Sequence, residues 1–338
     1  MMSGMKRMIT ILLAVVLLCG MAAGAAAEVT APVTAPEWAD VQLNDRGFLD
    51  EGEYVLEDAE NGHWMYVSPT LRIEIVKTWE TPEKKKKADK KQEFFCFTAE
   101  IWCDTDQGEL PFTTWSEPEK ERNKMKRKYM KDIAAEQPMV FCTSTDYYTY
   151  RLDRKGVYEG IVIRDGEILY DKPAPIKKYY NIPTYDTLAL FADGHVESWQ
   201  SKEKSAKEYI RDGAVQVYTF GPLLFKDGEL SEFMLKRANR NRNPRHAFGM
   251  VEPGHYIDLI CEGRQAKTGD GSTGVMMETL ADLMMDRGCT IAVNLDGGQT
   301  AVMVFMGQQL NRVGDKKLPY GRDTKEVLCF GHLPAKGD

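Results

Sequence analysis

The chain has 338 residues, of which 28% are charged, 43% hydrophobic and 10% aromatic. This composition excludes a disordered tail, a collagen-like fibre and a small disulfide-rich domain, and the length is sufficient for a sizeable buried core. The formal net charge of −7 argues against general nucleic-acid binding, which requires a basic surface to meet the phosphate backbone.

The N-terminus has the three regions of a secretory signal peptide over residues 1–27. Lys6 and Arg7 form a short basic region, an aliphatic run follows over residues 9–18, and three alanines at 25–27 fit a cleavage site. The run is shorter than a transmembrane helix requires, so a cleaved signal is favoured over an uncleaved anchor. We therefore predict a secreted or extracytoplasmic protein that contacts the membrane only through this signal.

The next predicted elements are an extension and two strands. Residues 28–65 are rich in proline, alanine and acids and are interpreted as an N-terminal extension. Residues 71–76 and 94–102 alternate apolar and polar side chains, as half-buried strands do. The basic run 84–91 between them is interpreted as a solvated hairpin loop in preference to an anionic-polymer contact. Residues 117–136 follow as a charged surface helix.

Short strands and turns continue through the middle of the chain. Asp-Gly pairs at 165–166, 193–194 and 227–228 separate apolar runs, which is typical of tight β-hairpins. Residues 202–212 are predicted as a short helix.

The last third of the chain has a strand–helix–strand pattern. Strands are predicted over residues 255–261 and 289–295, and a helix with one apolar face over 275–287. Such a unit makes at least two parallel strands plausible. Together with the hairpins it predicts a mixed α/β or α+β fold, in which helices flank a mixed β-sheet. No repeat or linker divides residues 66–338, so we expect one main domain there.

Six cysteines follow the signal region, and an even number in an exported chain permits disulfides. Most lie in apolar, strand-like runs, so buried free thiols are favoured over one or more bridges. No C-x-x-C pair is present, which argues against a structural zinc site. The six are Cys96, Cys103, Cys142, Cys261, Cys289 and Cys329.

The segment 292–303 carries the clearest chemical pattern, because a buried strand runs into a carboxylate and two glycines. Ligands of α/β sheets bind beyond the carboxyl ends of strands, where Asp296 is expected. Gly297 and Gly298 permit a tight turn, and their amides can face an anionic oxygen. A capped turn, in which Asp296 bonds nearby amides, explains the same spacing equally well.

Two arginines are the expected companions of Asp296. Arg245 lies in a basic segment, and Arg264 follows Glu262 at the end of the strand 255–261. Guanidinium groups match phosphate oxygens in bidentate geometry. The sequence has no nucleotide P-loop and no G-x-S-x-G nucleophile elbow, and its five histidines lack metal-ligand spacing.

In chain order, these motifs resemble those of the phosphodiester glycosidase family. The resemblance rests on NPRHAFG at 243–249, EGR at 262–264, Gly274 with the following helix, and NLDGG at 294–298. The family's corresponding segments read roughly NPRTAIG, DGR and NLDGGGSSTM. The likeness covers about residues 66–331 and is strongest in the last part.

The chain departs from the family pattern at three places that bear on substrate choice. Gln299-Thr300-Ala301 stands where the family has Gly-Ser-Ser, and Glu262 replaces the aspartate of DGR. Ser144-Thr145 replaces Asn-Gly before Asp146.

The resemblance implies a hydrolase that cleaves the glycosidic bond of a sugar-1-phosphodiester. In this interpretation Asp296 assists the oxocarbenium-like centre or activates water, with Glu262 or Glu278 as the second carboxyl. Arg245 and Arg264 stabilise the leaving phosphate. The substrate-binding residues that it implies are Asn294, Gly297, Gly298, Thr300, Arg264, Asp146, Gly221 and Arg322.

The expected partner is a sugar phosphate or a phosphorylated glycan of the cell envelope or extracellular space. The sequence indicates no definite cofactor, and it leaves open whether a divalent cation binds near Asp296. The alternative function is a non-catalytic envelope protein that binds phosphorylated glycans or assists exopolysaccharide assembly.

Overall fold

The computed structural model describes residues 41–84, 87, 90–115, 128–145, 160–172, 185–237, 241–265, 271–314 and 319–333. Within these ranges the chain forms nineteen strands and four short helices, and a single 3-10 turn at Thr105–Gln107 follows the fourth strand. The strands are β1 (Tyr54–Asp58), β2 (His63–Val67), β3 (Leu71–Glu80), β4 (Phe94–Cys103), β5 (Phe112–Trp115), β6 (Met139–Thr143), β7 (Gly160–Arg164), β8 (Glu167–Lys172), β9 (Asp186–Phe191), β10 (Val196–Glu197), β11 (Ala214–Phe220), β12 (Leu223–Lys226), β13 (Glu229–Leu230), β14 (Arg245–Glu252), β15 (His255–Cys261), β16 (Ile291–Leu295), β17 (Met303–Phe305), β18 (Gln308–Gln309) and β19 (Glu326–His332). The helices are α1 (Met130–Glu136), α2 (Ala206–Arg211), α3 (Glu232–Arg237) and α4 (Met277–Asp286).

The strands pair into three sheets, and every pairing between these strands is antiparallel. The large sheet has nine strands in the order β1-β2-β3-β4-β15-β14-β16-β12-β13. The second sheet has the order β10-β9-β11-β7-β8, and the third has the order β18-β17-β6-β19-β5.

The structure corrects the predicted fold class. The expected mixed α/β or α+β fold with flanking helices is wrong, because the described chain is mostly β-structure in three antiparallel sheets with only four short helices. Helix α4 does connect β15 to β16, as the pattern predicted. However, β14 lies between these two strands and is antiparallel to both. The two strands therefore run in the same direction without pairing.

The three predicted hairpins are present as β7–β8, β9–β10 and β12–β13. At two of the turns both central residues have a positive φ, with Asp165 at 50° and Gly166 at 74°, and Asp227 at 52° and Gly228 at 79°. Only turns of this type match the twist of the flanking strands, and Asp-Gly is a preferred sequence for them. Local turn chemistry therefore explains why these elements follow from the sequence.

The main hydrophobic core lies where the three sheets meet, with buried side chains from all of them. Phe248 and Tyr256 of the large sheet pack against Phe330 of β19, with ring centroids 6.2 and 6.1 Å from it. Phe141 of β6 contacts the same ring at 6.1 Å. These four buried aromatic side chains fix how the sheets lie against each other, and thereby position the strand ends that carry the candidate site.

The N-terminal part of the description begins within the predicted extension. Strands β1 and β2 pair with each other, and β2 pairs with β3, so residues 54–65 contribute to the large sheet. The domain boundary predicted at residue 66 falls within β2 and stays a prediction, as does the signal peptide, which lies outside the described residues. No helix in the described ranges is long and apolar enough to cross a membrane.

Candidate active site

The candidate site lies in the large sheet at the ends of three neighbouring inner strands, β14, β15 and β16. In the antiparallel register Arg245, the first residue of β14, faces Cys261, the last residue of β15. Leu295, the last residue of β16, faces His246. Asp296, Arg245 and Glu262 are therefore brought to adjoining strand ends, although they are far apart in the sequence.

The two glycines after Asp296 pack the loop against residue 244. The Gly298 amide donates to the Pro244 carbonyl at 2.9 Å. A Cβ at Gly297 would lie 2.7 Å from the same oxygen, which is too close for any other residue. Gly298 has a φ of +67°, a left-handed conformation that favours glycine. The amide of Gly298 is thus used within the protein, and its predicted contact with an anion stays a prediction.

Asp296 is buried and is tied to the end of β6. Its amide donates to the Thr145 carbonyl at 3.3 Å, and the Thr300 amide closes the turn by donating to the Gly297 carbonyl at 3.2 Å. The predicted roles of Asp296 and Thr300 stay predictions. Asp146, the next residue after Thr145, lies outside the described residues.

The Arg245 guanidinium is buried and binds main-chain oxygens. Its Nε donates to the Val275 carbonyl at 3.1 Å, and its Nη2 donates to the Asn241 carbonyl at 3.1 Å. Burial lowers the pKa of Arg245 to about 10, and the nearby charge of Arg264 acts in the same direction. These bonds favour a role in fixing the loop below Asp296, and the predicted contact of Arg245 with phosphate stays a prediction.

Arg264, in contrast, is exposed beside the glycine turn. A Cβ at Gly298 would lie 3.5 Å from its Nη1. Its Nη2 donates to the Asn243 side chain at 2.9 Å, and its backbone has a φ of 62°, which is uncommon outside glycine. An exposed guanidinium held over the turn is placed to meet an anionic ligand.

Glu262 has only 1% of its surface exposed and holds the segment at residue 312. Its Oε1 accepts from the Arg312 amide at 2.7 Å, and its Oε2 accepts from Arg312 Nη2 at 3.3 Å. Burial raises the pKa of Glu262, while the Arg312 contacts act in the opposite direction. Its catalytic role stays a prediction.

A further carboxyl that sequence reasoning missed lies beside two predicted substrate contacts. Asn294 donates through its side chain to the Gly221 carbonyl at 2.9 Å, and the Gly221 amide donates to the Asn294 carbonyl at 3.0 Å. Asp186 accepts from the Leu223 amide in the same segment at 2.7 Å. Burial raises the pKa of Asp186 to about 6. A carboxyl of this pKa can act as a general acid near neutral pH.

A buried hydrogen-bond chain beneath the site was also missed. His246 Nε2 lies 2.9 Å from Asp258 Oδ2, and His246 Nδ1 lies 3.1 Å from Ser144 Oγ. An ionised Asp258 can only accept, so Nε2 donates to it, and in a neutral imidazole Nδ1 then accepts from the Ser144 hydroxyl. Thr145, next to Ser144, receives the Asp296 amide. The chain therefore supports the segment whose Thr145 carbonyl accepts from the Asp296 amide.

The remaining predicted residues lie around this core. Arg322 donates from Nε to the Gln299 side chain at 3.2 Å and from its main-chain amide to the Gln299 carbonyl at 2.9 Å. Gln299, which stands where the family has glycine, therefore holds Arg322 in place. Glu278 is half-buried in the first turn of α4. In the parts of the chain that are described, no three His, Cys, Asp or Glu side chains are grouped to hold a metal ion.

The sequence profile of the phosphodiester glycosidase family matches residues 142–330, more than half of the chain. The chain belongs to the phosphodiester glycosidase family. Membership in this family of hydrolases confirms the resemblance seen in the sequence. The match includes every strand that contributes a residue to the site described above.

Among curated proteins, the uncharacterized SPbeta prophage-derived protein YomE of Bacillus subtilis is 28% identical over 165 residues. The alignment covers 47% of this chain and 24% of that protein, so the chain spans about a quarter of its relative.

Two solved structures have a similar fold. The zebrafish N-acetylglucosamine-1-phosphodiester α-N-acetylglucosaminidase catalytic domain, auto-inhibited by its pro-peptide, aligns with a TM-score of 0.60 and 16% identity, over 79% of this chain and 85% of that chain. A hypothetical protein from Synechocystis aligns with a TM-score of 0.52 and 11% identity, over 79% of this chain and 63% of that chain.

Proposed function

We propose that the protein is an exported phosphodiester glycosidase, which hydrolyses the glycosidic bond of a sugar-1-phosphodiester in a cell-envelope or extracellular glycan. One observation carries this proposal. Asp296, the Gly297–Gly298 turn and Arg264 come together at the ends of neighbouring strands, within the residues that match the family profile. The signal-like pattern of residues 1–27 supports export.

The leaving phosphate sets the first chemical requirement. A phosphodiester oxygen is weakly basic, so its departure needs charge stabilisation more than protonation. Arg264 supplies a positive charge at the surface of the turn. Arg245 acts from below by holding residues 241–245 against residue 275.

The sugar sets the second requirement, because positive charge develops at the anomeric carbon as the bond breaks. Asp296 assists that charge or activates the attacking water. Asp186, with its pKa near 6, supplies or accepts the proton that hydrolysis moves. Asn294, two residues before Asp296, donates to the Gly221 carbonyl, and Gly221 packs against Asp186.

The second candidate function is non-catalytic binding of phosphorylated glycans. It is favoured by Gln299, which replaces the family's glycine and holds Arg322. In this case the cleft binds the ligand but releases no sugar.

The test is hydrolysis of a panel of sugar-1-phosphodiesters, beginning with methyl N-acetylglucosamine 1-phosphate, by the full chain. Asp296→Asn is expected to lower the rate by about a hundredfold or more, the usual contribution of a positioned acid or base. Asp106→Asn, at an exposed residue of the 3-10 turn, is the matched control and keeps the wild-type rate. Equal rates in all three proteins would overturn the role of Asp296. Glycan binding without sugar release by the wild type would support the non-catalytic function.

A further inference from the structure

An aromatic pair, made of the exposed Trp79 and the half-buried Phe95, lies at the same end of the large sheet as Glu262. Trp79 of β3 and Phe95 of β4 are register partners. Their ring centroids are 4.8 Å apart in an edge-to-face arrangement, which orients the indole. Trp79 nevertheless remains 42% exposed. The sheet thus presents an oriented aromatic surface to solvent.

Two cationic side chains border this pair. Lys77 Nζ lies 4.2 Å from the centroid of the Phe95 ring, and the Arg312 guanidinium lies 6.0 Å from it. The Arg312 side chain is 52% exposed. Aromatic faces accept the C–H groups of a sugar ring, and exposed cations attract phosphate. The combination matches a sugar unit that carries a phosphate.

The pair is connected to the candidate active site contact by contact. The Glu262 amide donates to the Phe95 carbonyl at 2.8 Å. The Glu262 carboxylate accepts from the Arg312 amide at 2.7 Å. Two residues after Glu262, Arg264 lies over Gly298. Residues 262–264 therefore connect the aromatic pair to the cation that we assign to the leaving phosphate.

We propose that Trp79, Phe95, Lys77 and Arg312, the Trp79 platform, bind the sugar–phosphate unit attached to the leaving phosphate. Because Glu262 contacts both Phe95 and Arg312, and Arg264 two residues later lies against Gly298, the bound unit is the one beyond the cleaved bond. The substrate is accordingly an oligomeric glycan with phosphodiester links, longer than the sugar that is released. This inference rests on the proposed function and defines its substrate class.

The experiment compares a small and an extended substrate. The small one is methyl N-acetylglucosamine 1-phosphate, and the extended one is a linear trimer of N-acetylglucosamine joined by 1-phosphodiesters. Trp79→Ala is expected to raise the KM for the trimer about tenfold and to leave the KM for the methyl diester nearly unchanged. The reason is that only the trimer has a second sugar to stack on the indole ring. Trp79→Phe keeps a ring and restores most of the trimer KM.

Trp199→Ala is the matched control. Trp199 is 43% exposed and lies just after β10 of the second sheet, where its indole donates to Glu197. Its replacement leaves both KM values at the wild-type level. An equal rise for both substrates with Trp79→Ala, or no rise for the trimer, would overturn the platform.

Binding of the trimer separates this inference from the proposed function. Calorimetric titration of the Asp296→Asn protein measures affinity without turnover. If the wild type hydrolyses neither substrate but Trp79→Ala weakens trimer binding about tenfold, the platform stands and the glycosidase proposal fails. If the trimer binds equally with and without Trp79, the platform is overturned whatever the activity.

Discussion

Asp186 lies at the start of β9, where Gly221 and Leu223 crowd its carboxyl. Burial raises its pKa from an ordinary value of 3.8 to about 6. The folded state therefore holds this proton more tightly than the unfolded state does. The contribution of Asp186 to the free energy of unfolding is therefore largest below pH 4. This contribution decreases as the pH rises and is lost once the pH passes about 6.

Asp186→Asn is expected to remove this pH dependence. Two pKa units correspond to about 3 kcal/mol, which sets the upper limit of the stability difference between pH 4 and pH 7. Urea unfolding of both proteins at pH 4, 5, 6 and 7 measures it. Parallel curves for the wild type and the variant would show that Asp186 does not titrate in this range. If Asp186 is also the general acid, kcat of the wild type decreases as the pH rises above about 6, and the variant lacks this decrease.

Ser144 is the end of the buried chain that supports the segment holding the Asp296 amide, and its hydroxyl faces His246 at 3.1 Å. Ser144→Ala is expected to lower kcat about tenfold with little change in KM, because the Thr145 carbonyl that holds Asp296 loses its support. The loss of one hydrogen bond costs about 1 kcal/mol of stability.

Ser205→Ala is the control for this prediction. Ser205 caps α2 through a capping box with Glu208, so its loss also costs about 1 kcal/mol. Steady-state kinetics and urea unfolding of both variants distinguish support of the site from general stability. Equal kcat values in the two variants would mean that Ser144 contributes to folding only.

At the scale of the element, the turn after β16 depends on close approach between main chains. Gly297→Ala would place a methyl group 2.7 Å from the Pro244 carbonyl, so the turn must move away from residues 244–245. We expect a loss of stability of about 1–3 kcal/mol, as for other overpacked sites, together with loss of most activity. Thermal unfolding and hydrolysis of the methyl diester measure the two effects.

Gly228→Ala separates close approach from backbone strain. Gly228 has a φ of +79° in the β12–β13 turn, and a Cβ there would meet nothing within 4 Å. This variant is expected to lose about 1 kcal/mol from the left-handed backbone alone and to keep its activity. If Gly297→Ala behaves in the same way, the contact with Pro244 is not required for the site.

The elements that could be predicted are those that local chemistry decides. The hairpins follow from their Asp-Gly turns, and α4 follows from its apolar face. Strands β15 and β16 do run in the same direction, as predicted, but they do not pair, because β14 lies between them through non-local pairing. No local pattern in the sequence specifies which strand occupies that place.

The same distinction applies to the candidate site. The meeting of residues 243–245, 262–264 and 294–298 was predicted because each segment carries a motif. Asp186 was missed, since one acid before an apolar strand is common, and its raised pKa arises only from packing. His246 and Asp258 were missed because they are separate residues on two strands whose register the sequence does not reveal.

At the scale of the whole molecule, one buried ion pair joins the second and third sheets. Arg164 at the end of β7 donates to Glu326 at the start of β19, at 3.0 Å from Nε and 2.6 Å from Nη2. Both side chains are fully buried, and the guanidinium also donates to the Val217 carbonyl. The Tyr218 ring lies 3.9 Å from the guanidinium carbon. The two sheets therefore share a charge pair that is shielded from water.

Glu326→Gln leaves the Arg164 guanidinium without its compensating charge, so we expect a loss of about 3–5 kcal/mol in the free energy of unfolding. Arg164→Met combined with Glu326→Leu removes both charges and fills the space with apolar groups, so most of this loss is recovered. Urea unfolding followed by tryptophan fluorescence and by far-ultraviolet circular dichroism measures both variants. Coincident transitions would show that the two sheets unfold together. A double variant no more stable than Glu326→Gln would mean that the hydrogen bonds of Arg164, and not its charge balance, hold the sheets together.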